Sequence, residues 1–126
     1  MLIKVNRLQK DVVFIRKNST VNDILSLLQM LMEVNKYSVD TAKRAYEPQS
    51  PVLSFMEEEI EKLEELTVRL ERLGVNTSSL INDLSALEKA IRANSVEAAR
   101  VAFVNVHLDL AMTIDKIVDR ITQLIQ

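Results

Sequence analysis

A chain of 126 residues has room for one hydrophobic core, and a composition of 48% hydrophobic and 27% charged residues excludes intrinsic disorder. The absence of cysteine excludes disulfides, thiolate nucleophiles and cysteine-ligated zinc or iron–sulfur clusters, while one glycine and two prolines leave too few turn residues for many short strands. The net charge of −2 hides an uneven distribution: residues 1–46 hold eight Lys/Arg against four Asp/Glu, residues 47–74 three against eight, and residues 75–126 five against six.

The first segment, Ile3 to Lys17, reads as a short helix with Val5, Leu8, Val12 and Ile15 on one side and Phe14 opposite Val5. Being apolar on two sides, it needs to be sandwiched or to meet a partner. Charge interrupts its start too often for the apolar region of a signal peptide, and no apolar run reaches the roughly 18 to 20 residues that span a bilayer. The expectation is a soluble, cytoplasmic protein with no membrane association.

Asn18, Ser19 and Thr20 offer N-caps, with Asp23 at capping-box spacing from Thr20, so a second helix is expected over 20–46. Its stripe is read as Val21, Leu25, Leu28, Met32, Val39, Ala42 and Tyr46, thickened by Ile24, Leu27, Leu31 and Val34. Ser38 and Asp40 leave a break near Lys36 open.

The run Glu47-Pro48-Gln49-Ser50-Pro51 is a loop that starts a third helix over 51–73, because proline suits the first helical position. Leu53, Met56, Ile60, Leu63, Leu66, Leu70 and Leu73 are expected inward, with Glu58–Lys62 and Glu65–Arg69 as i,i+4 ion pairs. Gly74 closes the helix as its left-handed C′ residue. Asn76 is expected to cap a fourth helix over 77–93, stapled by Val75 and Leu80 and lined by Leu80, Leu84, Leu87 and Ile91.

Asn94 or Ser95 then caps the last helix, over 95–125, whose stripe runs Val96, Ala99, Phe103, Val106, Leu110, Ile114, Ile117, Ile121 and Leu124. Short connections between long helices make neighbours antiparallel. The expected fold is therefore all-α, a single domain over 1–126: an up-down-up-down antiparallel four-helix bundle with an additional short N-terminal helix.

The last helix carries a second apolar strip, Val101, Val104, Leu108 and Ala111, which widens its apolar arc to roughly 220°. A helix of about 30 residues is also some 45 Å long, more than the roughly 36 Å breadth of a compact domain of this size. These two features predict a homodimer or another protein partner meeting the chain at that strip.

Chemistry-bearing patterns are sparse. The Glu run at 57–65 cannot make a di-iron carboxylate site, because the single His has no Glu three residues before it; no metal site and no cofactor are expected. Lys4, Arg7, Lys10 and Lys17, with Phe14 among them, form a candidate basic contact patch for nucleic acid, although a pI near 5.5 runs against it. Arg100 and His107, seven residues apart, share a face of the last helix. That Arg-x6-His spacing in an all-helical chain resembles the Arg-x4-6-His motif of the HEPN family of helical RNA-binding and RNA-cleaving domains. The resemblance implies a pair facing a cleft between two protomers, with Arg100 and His107 as the nuclease residues. The favoured reading from the residues is a non-enzymatic interaction module or assembly subunit, and the second a nucleic-acid-associated, HEPN-like subunit.

Overall fold

The computed structural model describes the backbone of residues 2–47, 51–54 and 57–126, and the side chains of residues 20–47, 51–54 and 58–126. The chain is all-helical, with four α-helices: α1 Leu2–Tyr46, α2 Glu57–Arg72, α3 Ser78–Arg92 and α4 Val96–Ile125. Among the described residues, a 3₁₀ turn, Val52–Ser54, lies between α1 and α2. Among the described residues there is no strand, and no helix is long and apolar enough to cross a membrane.

The separate N-terminal helix of the sequence reading is not found: α1 runs unbroken for 45 residues, through both Asn18–Thr20 and Lys36. Neither glycine nor proline occurs in that stretch, and a cap-forming Ser or Asn in a helix interior costs only a few tenths of a kcal/mol more than a good helix former (~0.5). Continuity of the hydrogen-bond ladder outweighs the local cap.

The inward face of α1 also differs from the stripe read in the sequence. Val21, Leu25, Leu28, Met32, Val39 and Tyr46 are exposed, Met32 by 75%. The buried set is Leu27, Met30, Val34, Ser38, Thr41 and Ala45. Both sets recur at three and four residues, so periodicity alone does not choose between them. Side-chain size does. Ser38, Thr41 and Ala45 are small enough to let α1 approach α4, where the larger Phe103 and His107 fill the space between.

In α2, Ile60, Leu63, Leu66 and Leu70 are buried as the spacing predicts; Leu53, in the 3₁₀ turn before it, and Leu73, just after it, are partly covered, and Met56 lies outside the described residues. Arg69 does not pair with Glu65: its guanidinium reaches Glu33 on α1 at 2.7 Å, joining two helices rather than two turns of one. Nor is Glu58 paired with Lys62. At the end of α2, Gly74 adopts φ +87°, the Gly74 N–H donates to the Glu71 carbonyl and the Val75 N–H to that of Leu70. This is a Schellman ending, with Val75 and Leu70 both buried beneath it.

The capping of α3 moves by one residue. Thr77 is the N-cap and turns its hydroxyl to Glu71, while Asn76 Oδ1 accepts from the Ser78 N–H at 3.0 Å. Asn94 and Ser95 divide the work at the next junction. Asn94 takes φ +53° and ends α3 with the same hydrogen-bond pattern as Gly74, and Ser95 Oγ accepts from the Ala98 N–H to start α4. Along α4, Ala99, Phe103, Val106, Leu110 and Ile117 are buried, Ile114, Ile121 and Leu124 pack at the edge of the core, and Val96 is exposed.

α4 is the helix on which α1 and α3 both pack, α1 along one side of it and α3 along another. Ser38 meets His107 and the Ala45 carbonyl meets Arg100, so residue numbers fall along α4 as they rise along α1. The buried carboxylate of Asp109 accepts from the Ser79 hydroxyl at 3.1 Å, which sets it at the amino end of α3.

Candidate interaction surface

The line where α1 and α4 meet organises the outer surface. At its centre His107 Nδ1 lies 2.9 Å from the Ser38 carbonyl oxygen and 3.1 Å from the Ser38 hydroxyl. A carbonyl can only accept, and it is the nearer atom, so Nδ1 carries a hydrogen and Nε2 is the basic nitrogen of the neutral ring. The Thr41 hydroxyl donates to the carbonyls of Tyr37 and Ser38. Two turns from His107, Arg100 Nη1 donates to the carbonyls of Ala45 and Glu47, at 3.5 and 3.3 Å. Ala45 lies in the last turn of α1 and Glu47 just beyond it, where helix carbonyls carry partial negative charge, so a cation from α4 sits at that end. Tyr46 adds an edge-to-face contact with the His107 ring, centroids 6.1 Å apart.

From this line the core and the solvent lie on opposite sides. At about 100° per residue, Val34 and Thr41 lie to one side of Ser38, while Val39, Met32 and Val21 lie to the other. On α4, Val106 and Leu110 lie to one side of His107 and Leu108 to the other. Because the two helices run in opposite directions, the two outward rotations sweep to the same side of the pair. The exposed apolar residues of α1 and α4 therefore share one face.

On α4 that face holds the strip read from the sequence. Val101 and Leu108 are 59% and 51% exposed, and Val104 and Ala111 are half-buried, Val104 against the core edge. Further along the helix Met112, Val118 and Ile125 are exposed, with the exposed carboxylates Asp115 and Asp119 among them. Beyond Val101 lies a shallow hollow of about 540 Å³ between α3 and α4, lined by Ala86, Ala90, Ala98 and Ala102 together with Lys89 and Asn105.

The α1 half of the face was missed as surface, and a sequence signal for it exists. Positions 21, 25, 28, 32, 35, 39, 42 and 46 alternate steps of four and three without a slip, and only Asn35 among them is polar. A sustained repeat of that kind is the pattern of a helix meeting another helix along its whole length.

A polar cleft of about 500 Å³ opens between the end of α1 and the start of α2, lined among others by Lys36, Tyr37, Asp40, Arg44, Glu59 and Lys62. Its charges interleave, and Arg44 pairs with Glu59 at 3.6 Å. Burial, with Glu33 next in weight, pushes the Tyr37 phenol above its ordinary 10.0, against the pull of Arg69. The side chains of Lys4, Arg7, Lys10, Phe14 and Lys17, the candidate basic patch, lie outside the described residues. Comparison with protein-family models, curated proteins and solved structures returns no match to this chain.

Proposed function

We propose that this chain is a non-enzymatic interaction module or assembly subunit of the cytoplasm, acting through protein–protein contacts and associating with itself. Its scaffold in this reading is an up-down-up-down antiparallel bundle. The opposed pairs Glu33–Arg69 and Arg44–Glu59 between α1 and α2, Ser79–Asp109 and Leu73–Arg120 toward α4, and Ser38–His107 between α4 and α1 support that topology.

The observation that carries the functional reading is the exposed strip on α4 at Val101 and Leu108. A surface helix of a monomer does not need so wide an apolar arc, and contiguous exposed apolar surface marks a place where something docks. Light scattering of the purified chain at tens of micromolar tests it. The expected mass is twice the 14.4 kDa of the chain. A monomer at that concentration overturns self-association. Against the nucleic-acid reading, a gel-shift at physiological salt with single-stranded RNA and duplex DNA is expected to show no complex.

A further inference from the structure

We propose that the second copy is held by both helices at once, the outer seam of α1 and the strip of α4 forming one isologous face. This rests on the self-association proposed above and adds α1 to it. The α4 strip alone is too small: with Val104 and Ala111 half-buried, its four residues offer roughly 300 Å², against about 800 Å² per partner in an interface of standard size. Adding α1 changes the sum. Val21, Leu25, Leu28, Met32, Val39 and Tyr46 are each 44% to 75% exposed. With the exposed residues of α4 the face reaches roughly 1,000 Å², beyond the 300–600 Å² that is the largest apolar patch of a typical monomer.

Among the described residues no side chain covers the face. α1 meets α4 through Ser38 and Ala45, and α2 through Glu33 and Arg44, which leaves its four-three seam to solvent. The first segment belongs to the same helix, Leu2–Tyr46, and cannot double back over it. The seam positions 21, 25, 28, 32, 35 and 39 of α1 carry no charge, so a two-fold axis can bring this face against its own copy without burying a charge of α1.

The test is the mass of the full chain and of Met32→Glu and Leu108→Glu at tens of micromolar, with far-ultraviolet circular dichroism for each. The wild type should be a dimer and both variants helical monomers, with the dimer dissociation constant raised at least about 100-fold by either charge. A dimeric wild type and a monomeric Leu108→Glu beside a Met32→Glu that still dimerises would refute the role of α1 and leave self-association through α4 standing. A monomeric wild type removes both. Leu25→Lys, about two turns away, is the second probe of the seam. If both α1 variants lose their helical signal, the seam belongs to the core of the monomer and the proposal falls.

Discussion

Ser38 on α1 and His107 on α4 share a hydrogen bond of 2.9 Å across 69 residues of sequence, and this contact fixes the register of the two longest helices. It also decides what the histidine can do. With Nδ1 bound to a carbonyl, only Nε2 is left to take a proton, and the guanidinium of Arg100 is turned to the carbonyls that end α1. The pair is expected to brace α1 against α4. His107→Ala should cost about 1–2 kcal/mol of unfolding free energy in a urea titration, the loss of one half-buried hydrogen bond and its packing. Purified wild type should leave a mixed RNA substrate intact. Cleavage that disappears in a folded His107→Ala variant would promote the HEPN-like nuclease reading over the interaction module.

Gly74→Ala tests the only glycine. At φ +87° a β-carbon is strained, and it would also meet Arg120 Nε at 2.8 Å, the atom that donates to the Leu73 carbonyl. The two effects add, because the arginine must abandon the carbonyl to make room. A loss of about 1–2 kcal/mol is expected, seen as a lower urea midpoint with an unchanged slope. An unchanged midpoint would mean that the turn relaxes without cost.

Asp109 is a buried carboxylate whose side-chain partner is the Ser79 hydroxyl, at the amino end of α3, where backbone N–H groups carry partial positive charge. Asp109→Ala should cost ~2 kcal/mol, since it removes a hydrogen bond to a charged group and leaves the end of α3 less well satisfied. Ser79→Ala should cost less, because water can reach the serine side of the contact. Equal losses would show that the carboxylate acts only through the hydroxyl.

How far the sequence led can be judged element by element. Gly74 as the end of α2 follows from its being the one glycine, and the inward Leu63, Leu66 and Leu70 and the buried run from Ala99 to Ile117 follow from spacing, because the main stripe of each of these helices is the one that is buried. α1 has two. Its Leu27–Val34–Ala45 side and its Val21–Met32–Tyr46 side are equally periodic, and only the contact with α4 separates core from surface. The break expected at Asn18–Thr20 fails for a related reason: caps signal where a helix can begin, and an unbroken ladder overrides them. For the candidate surface, the α4 strip was legible as excess apolar width. Its α1 half was hidden by being read as core.

Tyr37 makes the stability of the chain depend on pH above 10. Burial raises its phenol above 10.0, and the negative charges of Glu33, Asp40 and Glu59 add to that against Arg69. The neutral form is thus favoured more in the folded chain than in the unfolded one. Below pH 10 both states keep the proton, and this contribution to stability is fully present. As the pH rises above 10 the unfolded chain releases its proton first, the folded state binds more, and stability falls until the folded phenol also ionises. Urea midpoints of wild type and Tyr37→Phe should run parallel from pH 7 to 9 and then separate, the wild type falling faster, which sets aside the lysines common to both. Glu33→Gln should shrink the gap by removing the negative charge that raises the phenol most, whereas Arg69→Met should widen it. Curves that stay parallel to pH 11 would show that the phenol is no harder to ionise in the folded chain than in the unfolded one.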